Sequence, residues 1–261
     1  MDRKRTLLLN GLSIDNIKII GIISMLIDHI AVYFSDMLPL SLFVLMRGFG
    51  RIAMPLFVYG IVQGYMHTRN LKKYIVRLSL LAVITQSIIY SFLYINKIYY
   101  PNYYTYISEP LNIVFSFVLS LILIKSLDFT KKYISGVNKY INFFLRIISI
   151  IFVFVTYYFA KIDYDIVVPI LIVNFTIFEK IKKKLSKQNL NGLFTGIELI
   201  LMVIILLNYN IMEIFAVFDI LLLCLYNGKK SNKNSINKNI FYIFFPLHNA
   251  ILYFLAMVIG G

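Results

Sequence analysis

The chain has one cysteine, Cys224, set in an apolar run. No disulfide framework and no cysteine-held metal cluster follows from a lone thiol, and Cys224 reads as a buried apolar residue. Charge is scarce as well. Only 15% of residues are charged and 60% are hydrophobic, whereas a water-soluble domain carries about 25% charged residues. A soluble fold of this size is therefore excluded, and the excess apolar surface must face lipid. Recognisable catalytic signatures are missing too. There is no Walker A loop, no Gly-x-Ser-x-Gly elbow, no His-Glu-x-x-His and no dinucleotide fingerprint. No stacked-aromatic platform with interleaved basic residues suggests nucleic acid. No internal repeat is found, and the residues call for no metal.

What is present is a series of apolar runs, each near the roughly 17–25 residues a span needs. They cover 17–34, 42–65, 75–94, 110–127, 142–160, 163–179, 193–208, 211–227 and 241–259. The expected fold is an all-α, polytopic membrane bundle of about nine transmembrane helices, with eight or ten as the neighbouring counts. Residues 1–261 form one transmembrane domain in this reading. Net charge is +14, and its distribution sets the orientation. With the N-terminus inside, only Lys97 and Lys161 fall in outer segments. Lys18, Arg47, Arg51 and Arg146 fall within spans, and every other Lys and Arg is inner. The positive-inside rule then puts the N-terminus in the cytoplasm and the C-terminus outside. The first run, which follows basic Met1–Arg5 and holds Asp28 and His29, reads as a retained span rather than a signal peptide. The connection 95–109 is rich in Tyr and suits the outer interface. The stretch 228–239 reads as an inner linker.

Ionisable groups at membrane depth cost roughly 2.5–3.5 kcal/mol each on insertion scales and usually serve a function. Here they are Asp28, His29, Arg47, Arg51, Arg146, Glu198, Asp219 and His248, with Gln86 and Asn112 as neutral polar companions. Lys18 and His29 are eleven residues apart, which returns a helix to within about 20° of the same face and raises it about 16 Å. A cytosolic anion held at Lys18 could send an extended arm to His29, and pantetheine has about that reach. A lone histidine is more often structural, but this one has charged company. Arg47 and Arg51 share a helix face. Arg51 either neutralises Asp28 or stabilises a developing oxyanion. Gly48 and Gly50 allow close helix approach, and Pro55 should kink the helix and free a carbonyl. His67, Arg69 and Asn70, with Lys72, Lys73 and Arg77, offer phosphate donors, although a plain positive-inside loop explains them as well. Glu198 and Asp219 should face each other or Arg146. His248 should lie about 12 Å deep, as second base, substrate contact or packing residue.

Several blocks resemble the TraX family, membrane proteins typified by the conjugative pilin N-acetylase. They are Met25-Leu26-Ile27-Asp28-His29, Gly50-Arg51-Ile52-Ala53-Met54-Pro55-Leu56-Phe57 and Gly64-Tyr65-Met66-His67-Thr68-Arg69-Asn70. Further blocks are Gln86, Asn112-Ile113-Val114-Phe115-Ser116, Tyr226-Asn227-Gly228 and Phe245-Pro246-Leu247-His248. The spacing of Lys18 and His29 is similar to the Arg/Lys-x10-His motif of the acyltransferase 3 superfamily. The resemblance implies acetyl (acyl) transfer from cytosolic acyl-CoA, with acetyl-CoA as donor and His29 as catalytic base. Asp28 and Arg51 would support the chemistry. Lys18, Arg47, His67, Arg69 and Asn70 would hold the donor. Gln86, Asn112 and His248 would bind or support the substrate. The family's Asp-Tyr-Gly stands here as Asp163-Tyr164-Asp165, and Ser87-Ile88 replaces Pro-Phe after Gln86.

The expected setting is the cytoplasmic membrane of a bacterial-type cell, crossed several times. The acceptor would be an amine of a peptide or pilin, or a hydroxyl of an envelope glycan; nucleic acid is not a partner. Two other classes compete: a carrier using Asp28, His29 and Arg51 as its translocation site, and a non-catalytic membrane scaffold.

Overall fold

A computed structural model describes residues 11–99, 110–133, 139–185, 188–228 and 240–260. The basic start at 1–5, most of the connection 95–109 and nearly all of the linker 228–239 lie outside them. The described residues are helical, with two isolated bridges and no strand.

Helix α1 (Ile14–Tyr33) starts where Ser13 accepts the Asn16 N–H at 3.3 Å, with Asp15 in its first turn. Both features satisfy the electropositive helix start. After Pro39 comes α2 (Leu40–Arg51). Pro55 has no N–H for the Arg51 carbonyl, and its ring crowds that oxygen. The helix accordingly breaks at Ile52 and resumes as α3 (Ala53–His67). The chain continues through α4 (Leu71–Tyr99), α5 (Ile113–Tyr133), α6 (Lys139–Ala160), α7 (Val167–Leu185) and α8 (Gln188–Tyr209). A 3₁₀ segment (Ile211–Ala216), α9 (Val217–Cys224) and α10 (Ile240–Gly260) complete the described residues.

Among the described residues, six stretches are long and apolar enough to cross a membrane: 14–33, 40–67, 71–95, 140–160, 190–209 and 240–259. This marks a multi-pass membrane protein. Helix α6 shows its lipid-facing character plainly, with Tyr158 80% and Phe159 77% exposed. The expected span 211–227 departs most from the sequence reading. Asn210 caps a new start by accepting the Met212 N–H at 2.9 Å. The 3₁₀ turn and the eight-residue α9 together rise only about 24 Å, short of the roughly 30 Å hydrocarbon core. Cys224, read as buried, is exposed at the end of α9.

The chain forms two compact units. One comprises Met1–Gln63 with Ile177–Gly261 and the other Gly64–Thr176, their boundaries falling within α3 and α7. In the first, α3 is buried on all sides from Ala53 to Gln63, as an evenly apolar helix should be. A short bridge joins the residues before α1 to those after α9. The Leu12 N–H donates to the Leu225 carbonyl at 2.7 Å, and the Asn227 N–H donates to the Leu12 carbonyl at 3.0 Å. Gly11 makes this possible: its φ is +65°, and a Cβ there would stand 2.7 Å from the Leu225 oxygen.

In the second unit, Leu123, Val153, Tyr157 and Ile162 form the core. A matching bridge joins Leu111 to the 161–163 segment. The turn that follows holds Tyr164 and Asp165 at φ +59° and +43°. The left-handed region suits glycine, and the position where the resembling family has Gly is Asp165. Asp tolerates this geometry better than most residues; a β-branched side chain does not. Asp165→Gly should therefore leave the melting midpoint unchanged or higher. Asp165→Val should lower it by about 2–4 °C or more. Thermal melts of the two purified variants check this.

Candidate active site

Two polar clusters sit side by side on the last turns of α1. Asp28 and His29 are sequence neighbours, so their side chains leave the helix about 100° apart. They meet different partners.

Asp28 turns toward α2. Its Oδ2 accepts from Arg47 Nη1 at 2.7 Å, and its two oxygens accept from Arg51 Nη2 at 3.2 and 3.3 Å. Arg51 Nη1 donates to Glu213 Oε1 at 3.1 Å, and its Nε donates to the Arg47 carbonyl at 3.4 Å. Two guanidiniums and two carboxylates thus alternate in a chain. Burial is tolerable because each charge faces an opposite one. Glycines let the backbones close in. A Cβ on Gly48 would lie 2.7 Å from the Phe215 ring, and one on Gly50 would run into the Asp28 carboxylate. Gly50→Ala should force Asp28 off its arginines and cost about 1–3 kcal/mol through overpacking. Gly60→Ala should be milder, because its nearest contact is Lys18 Cε at 3.8 Å. Paired melts would show the difference.

His29 turns toward α10. Its Nδ1 lies 2.9 Å from Nε2 of His248, and the two rings stack with centroids 4.9 Å apart. His248 is 3% exposed. Its other nitrogen, Nδ1, is 2.9 Å from the Phe244 carbonyl, and the Phe244 ring lies parallel to it at 5.0 Å. Around His29 stand Tyr33, edge-on at 6.1 Å, and the side chain of Asn249. The Asn249 amide is itself fixed, accepting from Tyr33 Oη at 3.3 Å and donating to the Phe245 carbonyl at 3.0 Å.

The structure thus brings together His29 with His248, and Asp28 with Arg47 and Arg51. Arg47, expected among the groups holding the donor, is the closest cation to Asp28. Lys18 lies on the same continuous α1 as His29, about 16 Å along it, beside Gly60 of α3. His67, Arg69 and Asn70 belong to the second unit and are exposed. Asn70 caps α4 there, its Oδ1 accepting the Lys73 N–H at 2.9 Å. Gln86 and Asn112 are likewise in the second unit. Gln86 Oε1 accepts the Asn112 N–H and Nδ2–H at 2.8 and 2.9 Å, which pins the start of α5 to α4.

Two partners were not visible in sequence. Glu213, fully buried, stands near the start of an apolar run with no charged neighbour in sequence to mark it. Asn249 is neutral and sits next to the more conspicuous His248. The expected pairing of Glu198 with Asp219 or Arg146 is replaced. Glu198 accepts from Lys182 at 2.8 Å, and Lys182 also pairs with Glu179. Burial works against the Lys182 ammonium, but Glu198 and Glu179 outweigh it and hold its pKa above the ordinary lysine value. Asp219 is fully buried, with neither oxygen hydrogen-bonded. Among the described residues no group of three or more His, Cys, Asp or Glu could hold a metal ion.

The family model described as TraX protein matches residues 13–256. The chain belongs to the TraX family. The match runs from the Ser13 cap of α1 into the last turns of α10, so both clusters of this TraX member lie within it. Neither the curated proteins nor the solved structures contain a match.

Proposed function

We propose that this TraX-family protein is a membrane-embedded acyltransferase that moves an acetyl group from acetyl-CoA to an amine or hydroxyl of a peptide or envelope acceptor. The observation that carries the reading is the division of labour at residues 28 and 29. Asp28 is committed to two arginines, whereas His29 is hydrogen-bonded to His248 through one ring nitrogen, Nδ1. An imidazole whose Nδ1 is held by His248 presents Nε2 as the nitrogen to serve as a general base, with the Asn249 side chain hydrogen-bonded to the same ring.

The acceptor nitrogen or oxygen attacks the thioester carbonyl, and its proton passes to Nε2 of His29. The new bond to the acyl carbon forms, the carbon–sulfur bond breaks, and the departing thiolate takes the proton back from Nε2. Charge and atoms balance with no further reactant. Lys18, about 16 Å below His29 on the same helix, supports an anionic donor entering from the cytoplasmic side. Arg51 acts as a clamp in this reading, since all three of its guanidinium nitrogens already have acceptors. The inside N-terminus and a bacterial-type cytoplasmic membrane belong to the same proposal.

The test is a purified, detergent-solubilised protein given labelled acetyl-CoA and a panel of peptide amines and glycan hydroxyls. Label should move to one acceptor class, and CoA should raise the melting midpoint. At a hundred times its Kd, a ligand adds about 2.7 kcal/mol of stability. No transfer to either class and no stabilisation by CoA would end the reading. A carrier is the second reading, favoured by the helix interruptions at Ile52 and Ile211–Ala216 beside the Arg51–Glu213 pair. It predicts solute or proton flux in proteoliposomes that Arg51→Met abolishes.

A further inference from the structure

A carbonyl oxygen can only accept a hydrogen bond. The 2.9 Å contact between His248 Nδ1 and the Phe244 carbonyl therefore fixes a proton on Nδ1. A neutral imidazole carries one N–H, so Nε2 of His248 is left as an acceptor. The neighbour 2.9 Å from that acceptor is Nδ1 of His29, which must then supply the N–H. The remaining nitrogen of His29, Nε2, is left with its lone pair. A backbone oxygen on α10 thus dictates, through two rings, which nitrogen of a residue on α1 is basic. The His248 ring cannot easily turn away. It lies parallel to the Phe244 ring at 5.0 Å, meets His29 at 4.9 Å through the nitrogen contact, and has Phe245 edge-on at 5.7 Å.

We propose that His248 is a positioning residue that holds His29 in the Nδ1–H tautomer and so makes Nε2 the catalytic base. The inference deepens the acyltransferase reading and rests on it for the word catalytic; the tautomer itself does not. After Nε2 takes the acceptor's proton, the imidazolium of His29 keeps its Nδ1–H bond to His248. The developing charge therefore finds an acceptor already in place. The competing arrangement is specific. The Asn249 side chain is also hydrogen-bonded to His29, and a His29 that carried its proton on Nε2 and gave it to the Asn249 oxygen would have no base to offer.

The experiment uses the full-length protein in nanodiscs, labelled with 15N-histidine. The chain has three histidines, and His67→Gln removes the one outside the pair. The ring nitrogen shifts of His29 should report Nδ1–H with Nε2 unprotonated. In His248→Ala that preference should disappear, and kcat should fall about 10–100-fold while KM for acetyl-CoA changes less than about twofold. The scale is set below the roughly 10⁴-fold loss seen when a buried histidine is locked in the wrong tautomer. His248→Gln supplies a carbonyl oxygen in place of Nε2. It should restore the Nδ1–H form and most of kcat. Nε2–H on His29 in the unaltered protein overturns the proposal. So does a glutamine variant that carries the Nδ1–H form yet is no more active than alanine. Because the tautomer is read without an acyl donor, absence of transfer with Nδ1–H present refutes the enzyme reading alone.

Discussion

Replacing His29 by glutamine is expected to reduce acetyl transfer by about 10²–10⁴-fold, the usual contribution of a positioned general base. Glutamine is the sharper choice than alanine. Its amide can still donate to Nε2 of His248, so the contact at 2.9 Å is kept while the base is lost. The residue lies within a continuous helix, near its last turn, where Gln is well tolerated. A melting midpoint within a few degrees of the parent would accompany the lost activity. The assay is transfer of labelled acetyl from acetyl-CoA to the preferred acceptor. Turnover within tenfold of the parent, in a protein that still melts normally, would mean that His29 is not the base.

Arg51→Met is expected to have the largest effect on stability. Arg51 is the link shared by Asp28 and Glu213, and Glu213 is wholly buried. Removing one partner of a buried pair costs about 3–5 kcal/mol, because the other charge is left without compensation. For a chain of this size that corresponds to roughly 6–20 °C in the melting midpoint. Asp28 keeps Arg47 at 2.7 Å, so the stranded group is Glu213. The double variant Arg51→Met with Glu213→Gln should therefore recover part of the loss, a coupling that two independent sites would not show. Thermal melts of Arg51→Met, Glu213→Gln and the double variant in one detergent supply all three numbers. A fall of less than about 2 °C for Arg51→Met would show that the alternating charge chain contributes nothing to stability.

How legible these clusters were depended on what kind of signal each residue gives. Helices α1, α8 and α10 announce themselves as long apolar runs, and Pro55 forecasts the break at Ile52. Periodicity was enough to separate Asp28 from His29 and to turn the first toward Arg51. The helix-rise estimates put His29 and His248 at comparable depth, yet depth alone does not choose a partner 219 positions away. Glu213 was harder still. Its meaning comes from an arginine 162 residues earlier and from a 3₁₀ turn that an apolar run does not disclose. The 211–227 run takes the form of a 3₁₀ segment and a short helix, which hydropathy cannot foretell because it counts apolar residues and not backbone conformation. Cys224 was misjudged because apolar surroundings signal burial in a soluble fold but are equally met at a lipid-facing surface.

The order in which the charge chain is encoded has a biosynthetic consequence. Asp28 and its two arginines fall within one α1–α2 hairpin, only 19 and 23 positions apart. A nascent chain can therefore enter the bilayer with Asp28 already neutralised, instead of paying the insertion penalty for each charge separately. Glu213 and His248 emerge from the ribosome much later. Until they arrive, Arg51 lacks its second carboxylate and His29 lacks the ring that orients it, so the newborn protein is inserted long before it is competent.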